Sequence, residues 1–150
     1  MGASNFILGM EIKRNCADVK LWLSQRKYVE TTLHRFNMQE CKPLKVPIPI
    51  GVRLFAEQCP KTQEEEEDMS HLPCASFVGS LMYAMVCTRP NIAHAVGDLS
   101  RYMSKLGKEH WKTIKRVFRY LRGNTNHAIC FQGKGRTDRV LDVCIFSYAG

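Results

Sequence analysis

Five aspartates, Asp18, Asp68, Asp98, Asp138 and Asp142, are the first residues to inspect for metal-dependent or acid–base chemistry, and no two are adjacent. Asp138 and Asp142 are the nearest pair. As alternating-strand positions they would share a face, but they flank a short strand beside a turn, where carboxylates are ordinary surface groups. The run Glu64 to Asp68 is denser. Consecutive carboxylates on a helix point around it rather than at one ion, so no metal is assigned there either. The histidines are His34, His71, His94, His110 and His127. A general base needs a nucleophile or carboxylate beside it, which the sequence does not supply; His110 opens a helix, where an imidazole caps or packs. No serine lies in a G-x-S-x-G context. Seven cysteines, at 16, 41, 59, 74, 87, 130 and 144, are odd in number and none has C-x-x-C spacing. They define neither a disulfide framework nor a zinc site, and read as reduced thiols of a cytoplasmic or nuclear protein. The expectation is a chain with no catalytic residue, no metal and no cofactor.

What remains is charge. The chain carries a net charge of +8, unevenly spread. Residues 101–122 hold eight Lys/Arg against Glu109 alone, whereas 61–72 hold five acids against Lys61 alone. From Lys108 to Arg122 the pattern is helical. At about 100° per residue, Trp111, Ile114, Val117, Phe118 and Leu121 share one arc. Lys112, Lys115, Arg116, Arg119 and Arg122 share another, with no acid among them. A solvated helix usually mixes its charge signs to gain (i, i+4) pairs. A stripe of one sign beside a core face suits a surface that meets phosphates, the alternative being a merely solvated basic face.

The elements that must position this stripe are legible as punctuation. Pro73 to Cys87 is an apolar helix with Phe77, Val78, Leu81, Met82, Met85 and Val86. Thr88-Arg89-Pro90 stops it and starts another, Thr88 as a cap and Pro90 in an opening turn. That second helix carries Ile92, Val96, Leu99 and Met103 and ends at Gly107; Gly123 ends the third. Upstream, Phe6 to Ile12 reads as a strand with Gly9 as a bulge or a close backbone approach, and Val19 to Leu23 as its hairpin partner. Ser24 caps a helix carrying Tyr28, Val29, Leu33 and Phe36. Pro43, Pro47, Pro49 and Pro60 make 42–60 an extended strap. The acidic run opens a short solvated helix or, alternatively, forms a disordered tip. Ala128 to Phe131 and Val140 to Phe146 read as strands, with Gly133-Lys134-Gly135 a turn that lacks the length and ending of a phosphate-binding loop. The fold class is therefore α+β, mostly α, with an N-terminal β-hairpin, a bundle of about four main helices and short C-terminal strands. No apolar run approaches the roughly 20 residues of a membrane span. The third helix lacks the broad apolar face of an interfacial helix, Phe6 breaks a myristoylation pattern, and no signal peptide is visible, so no membrane partner and no secretion are expected.

Seven blocks then stand in register: Phe6-Ile7-Leu8-Gly9-Met10-Glu11-Ile12, Leu23-Ser24-Gln25-Arg26-Lys27-Tyr28-Val29, Arg35-Phe36-Asn37-Met38, Val78-Gly79-Ser80-Leu81-Met82-Tyr83, Thr88-Arg89-Pro90-Asn91-Ile92-Ala93, His110-Trp111 and Arg119-Tyr120-Leu121-Arg122-Gly123. In that order the chain resembles the C-terminal part of a Ty1/copia-type retrotransposon reverse transcriptase, in the form found in plant Pol polyproteins. The resemblance runs from about residue 4 to 133 and more weakly to 150.

The resemblance implies that residues 5–23 correspond to the primer grip, with Leu8 and Gly9 at its central Leu-Gly. It implies that the helices up to 123 belong to the thumb and connection, holding a template–primer duplex by its backbone through Lys112, Lys115, Arg116, Arg119 and Arg122. It further divides the chain into a reverse-transcriptase part, 1–123, and the truncated start of an RNase H-like domain, 124–150. The family's paired-aspartate polymerase motif precedes the primer grip, so the palm, the fingers and their Mg²⁺ ions are expected to be missing. At the RNase H start, Ile145 and Ser147 stand where the family has aspartates and Tyr148 where it has Trp; Asn91 replaces an Asp and Leu106 a Pro. The implied function is a catalytically incomplete polymerase fragment whose partners are an RNA/DNA duplex, bound weakly and without sequence preference, and the absent palm and RNase H domains. The alternative is the same remnant retained as a basic helical module that binds nucleic acid or protein.

Overall fold

The computed structural model describes residues 5–133 and 141–147, the side chains through 133. Lys134, Gly135, Asp138, Tyr148, Ala149 and Gly150 lie outside the described residues. The element order is β1 (Phe6–Ile7), β2 (Met10–Asn15), β3 (Lys20–Ser24), α1 (Arg26–Arg35), α2 (Gln63–Ser70), α3 (Cys74–Cys87), α4 (Ala93–Ser100), α5 (Lys108–Gly123), β4 (His127–Gly133) and β5 (Leu141–Ser147). The class is α+β, as the sequence implies.

The helical core follows from the arcs. In α5 the side chains of Ile114, Val117, Phe118 and Leu121 are buried, as are Phe77, Val78 and Leu81 of α3, Val29 and Leu33 of α1, and Val96 and Leu99 of α4. Rings lock the centre. Phe36 stacks on Phe77 at 3.6 Å, and Phe77 meets Trp111 and Phe118 edge-on at 4.9 and 5.1 Å. Each such pair contributes about 0.5–1.5 kcal/mol beyond area burial. Met82 and Val86 are exposed rather than in the core, so α3 is apolar beyond the face it buries. In the acidic run, Thr62 caps α2 by accepting from the Glu65 N–H.

Three local expectations change. Phe6 to Ile12 is not one strand with a bulge. Leu8 and Gly9 both take positive φ, 51° and 79°, and form a two-residue turn that folds β1 back on β2 with Ile7 opposite Met10. Such turns require left-handed backbone at both central positions, which Gly9 supplies freely and Leu8 adopts at a cost. Ser24 is the last residue of β3; its hydroxyl accepts from the Arg26 N–H at 3.3 Å, but the N-cap position itself is Gln25. The helix before Gly107 already ends at Ser100, and Gly107 instead begins α5.

The sheet joins the two ends of the described chain. Its order is β1-β2-β3-β4-β5, every pair antiparallel, with Leu23 opposite Ile129 and Trp22 opposite Cys130. A two-stranded hairpin alone is marginal in water. Here β4 completes it, arriving directly from the C-terminal end of α5.

Candidate nucleic-acid interface

The basic stripe is placed by α5, whose apolar arc is fixed by the core and whose opposite edge therefore must face outward. Its start is set by a close approach. A Cβ on Gly107 would lie 2.0 Å from the Gln58 carbonyl oxygen, so the chain before α5 passes directly over the strap. The Gly107 N–H donates to His110 Nδ1 at 3.0 Å, which makes the buried imidazole the cap of the helix. Burial pushes the His110 pKa down, with Glu109 pulling weakly the other way.

Along the stripe the five cations have different fates. Lys112 is exposed, its ammonium 2.8 Å from the Glu109 carboxylate. Lys115 is exposed, its ammonium 5.7 Å from the centre of the Trp111 ring, a cation–π distance. Arg116 is half-buried, and its enclosed Nε has no hydrogen-bond partner among the described residues. Arg119 donates from Nε to the Lys42 carbonyl at 2.7 Å, and its own carbonyl accepts from the Leu44 N–H at 3.2 Å. Arg122 donates from Nε to the Gln39 carbonyl. The start of the strap and the turn before it thus lie along the C-terminal half of the stripe, the strap holding Arg119 and Gln39 holding Arg122, which the helical pattern of α5 could not reveal.

Lys112, Lys115, Arg116 and Arg119 line one groove of about 590 Å³, whose other wall is Met38, Cys41, Pro49 and Val52. Arg122 lines a separate recess with Glu30 and Thr125. Leu8 and Gly9 are elsewhere. The Leu8 carbonyl accepts from the Tyr83 hydroxyl of α3, and Tyr83 packs edge-on against Tyr28 at 4.8 Å. Leu8 is 78% exposed at the tip of its turn. The structure therefore brings four of the seven candidate residues together and leaves Arg122, Leu8 and Gly9 apart from that groove.

A buried polar centre ties these parts together. Arg89 is fully buried and forms no ion pair with a carboxylate among the described residues. Its guanidinium donates to the carbonyls of His127 at 2.7 Å and Asn124 at 2.8 Å, just past the C-terminal end of α5, where a cation also meets the helix dipole favourably. Burial lowers its pKa to about 10, so it remains charged at neutral pH. Thr88, expected to cap a helix, is buried and donates instead to the side-chain carbonyl of Gln25. Among the described residues no group of three or more His, Cys, Asp or Glu is arranged to hold a metal ion, and no single helix is long and apolar enough to cross a membrane.

No family model matches the chain, and no solved structure does. Curated relatives do. The chain is 51% identical over 143 residues to the retrovirus-related Pol polyprotein from transposon TNT 1-94 of Nicotiana tabacum, covering 92% of this chain. It is 38% identical over 133 residues to the corresponding polyprotein from transposon RE2 of Arabidopsis thaliana, covering 89% of this chain. Its sequence corresponds to one segment of retrotransposon Pol polyproteins. It spans only 11% and 8% of the length of those two relatives. It is also 29% identical, over its whole length, to an uncharacterized mitochondrial protein of Arabidopsis thaliana, of which it covers 58%.

Proposed function

We propose that this retrotransposon Pol segment grips the sugar-phosphate backbone of a template–primer duplex and performs no nucleotidyl transfer itself. The observation that carries the reading is the single-sign row on α5, where the one neighbouring acid, Glu109, is already paired with Lys112. Contacts to phosphate fix the position of a duplex without reading its sequence, which is what a polymerase needs of a thumb-like element. Lys112, Lys115 and Arg116 are not tied to the strap and meet phosphates directly; Arg119 and Arg122 do so only by leaving their carbonyl partners. Three contacts give log K a slope against log[salt] of about −3, and all five about −4.5. The Leu8–Gly9 turn presents the primer grip from the α3 side, held there by Tyr83. Polymerase Mg²⁺ ions require clustered carboxylates. The donor set of the described residues does not fit them, so no step is assigned through a metal.

The test is a pair of measurements on the purified chain. Fluorescence anisotropy with an RNA–DNA hybrid should show affinity falling steeply with salt. Primer extension with Mg²⁺ and nucleotides should give no product; any Mg²⁺-dependent extension sinks the non-catalytic part of the reading. A second reading, a retained basic module acting outside a polyprotein, is favoured by the recurrence of this segment in a protein of which the chain covers more than half. It predicts the same salt-dependent binding, and differs by predicting that the chain folds and binds alone.

A further inference from the structure

Of the seven cysteines, two meet in the sheet. The β4–β5 ladder sets Cys130 directly opposite Cys144, flanked by Ile129 opposite Ile145 and Phe131 opposite Val143. No other ladder of the described sheet sets one cysteine against another. Residues opposite one another in a ladder stand on the same face of the sheet. Their spacing follows from the backbone. The Gly133 N–H donates to the Val19 carbonyl at 3.1 Å, so the backbone groups of Gly133 are turned toward β3. These groups alternate sides along a strand, and those of Cys130, an odd number of residues away, are turned toward β5. Cys130 and Cys144 are therefore a hydrogen-bonded pair, a class whose Cα atoms stand about 5.5 Å apart. A disulfide spans Cα separations of about 4.4–6.8 Å, most often about 5.5–6 Å. It also needs Cβ atoms at about 3.5–4.5 Å, somewhat closer than the roughly 4.5–5.5 Å of opposed residues. A small shift of one strand closes that difference, and the strain it leaves makes the bond easy to reduce.

We propose that Cys130 and Cys144 form a redox modification site, converted by a peroxide to a cross-strand disulfide and restored by a dithiol. One thiol attacks a peroxide oxygen, becomes a sulfenic acid and releases water. The other thiol attacks that sulfur, the S–S bond forms and a second water leaves. Together the thiols give up two hydrogens and two electrons, and the peroxide is reduced to water. A dithiol reverses the step by exchange and takes the disulfide itself. The place of the pair in the fold makes it responsive. β5 is an edge strand, bonded in the described sheet to β4 alone, and such an element opens locally more readily than the sheet centre. Cys130 is 4% exposed, so the closed sheet shields it and fraying of β5 admits the oxidant. Once formed, the bond holds β5 at this register on β4, the strand that issues from α5. In the reduced chain the ladder alone holds it. Cys16, Cys41, Cys59, Cys74 and Cys87 lie outside the ladders and have no such opposite residue. The proposal does not depend on what α5 binds.

The test uses the full chain, purified under reductant, freed of it and treated with hydrogen peroxide. Remaining thiols are alkylated and the chain is digested with trypsin. Cleavage after Arg122, Lys134, Arg136 and Arg139 puts Cys130 on the peptide 123–134 and Cys144 on 140–150. The expected product is these two peptides joined, lighter by two hydrogens than the reduced pair. The number of alkylated thiols should fall by two from seven, and dithiothreitol should restore it. Hydrogen exchange across β5 should slow in the oxidised chain and recover on reduction. Cys144→Ser should abolish the link. A register control moves the thiol by one residue: in Cys144→Ser/Val143→Cys it stands opposite Phe131, on the other face of the sheet, and should not join Cys130. Both variants are compared with the parent by circular dichroism melts, and the result on the parent chain stands without them. No link between the two peptides, whether the thiols stay free or pass on to sulfinic acid, overturns the proposal. So does a link from Cys130 to another cysteine in preference, or chains joined to one another instead of internally. Equal linking in the register control also overturns it, because nearness along the chain rather than strand register would then join the thiols.

Discussion

Arg89→Ala should cost this fold more than any single change on its basic surface. The guanidinium is fully buried and makes two short charge-assisted hydrogen bonds, 2.7 Å to the His127 carbonyl and 2.8 Å to the Asn124 carbonyl. Hydrogen bonds to a charged group contribute about 1.5–3 kcal/mol each, and losing two of them gives about 3–6 kcal/mol. Removing one partner from a buried charged arrangement gives a similar figure, about 3–5 kcal/mol. A loss of about 4 kcal/mol is a large fraction of the roughly 5–15 kcal/mol that holds a domain together. With a urea m-value of about 2 kcal/mol/M, the midpoint should fall by about 2 M. Arg89→Lys keeps the charge but not the fork, so its ammonium satisfies one carbonyl where Arg89 satisfies two. It should lose about half as much, roughly 1 M in the midpoint. The assay is urea unfolding followed by far-UV circular dichroism, with amide hydrogen exchange read separately over β4. Because Arg89 joins the α3–α4 junction to the turn between α5 and β4, protection in β4 should fall first. A midpoint shift below about 0.5 M for Arg89→Ala, or Arg89→Lys behaving as the parent, would show that this buried centre does not hold sheet to bundle.

Other changes have equally definite signs. Gly107→Ala should destabilise by about 1–3 kcal/mol, because its Cβ meets the Gln58 carbonyl oxygen, whereas Gly79→Ala and Gly97→Ala, with open space at the new Cβ in α3 and α4, should stabilise by about 0.5–1 kcal/mol each; thermal melts of the three variants check both signs. Burial lowers the pKa of both His110 and His127, with Arg89 adding to the effect at His127. The unfolded chain therefore takes up these protons first, so stability is complete above about pH 6.5 and falls as the pH drops toward the lower folded values, at no more than about 1.4 kcal/mol per pH unit per histidine. Urea midpoints at neutral and mildly acid pH should show this slope, and His110→Asn should reduce it. Tyr83→Phe removes the hydrogen bond to the Leu8 carbonyl; hydrogen exchange should speed up at the β1–β2 turn and leave α5 untouched.

The helices were legible because their burial is periodic. Ile114, Val117, Phe118 and Leu121 could be assigned to the core of α5 from spacing alone, and the stop between α3 and α4 could be placed at Thr88–Pro90. Non-local pairing was not. Nothing in Leu21-Trp22-Leu23 announces Phe131, Cys130 and Ile129 as partners, since alternation specifies faces but not neighbours. The Leu8–Gly9 turn was hidden inside an apolar run that reads as one strand, because a leucine with positive φ has no signature of its own. Arg89 looked like punctuation between two helices, and its burial depends on the carbonyls that end α5 arriving beside it. The strap is the largest gap at the site. Its prolines showed that it is extended, but only the fold lays its start over Arg119 and turns an exposed stripe into a groove.

The most direct test of the account is duplex affinity when the stripe is neutralised. Lys112→Gln, Lys115→Gln, Arg116→Gln and Arg119→Gln are combined in one chain, and its binding to an RNA–DNA hybrid is compared with the parent at about 50 and 200 mM salt. The parent should lose affinity steeply between the two conditions. The variant should bind weakly at both and respond little to salt. Equal affinity and equal salt dependence in the two proteins would contradict the assignment of the α5 stripe as the surface that holds the phosphates.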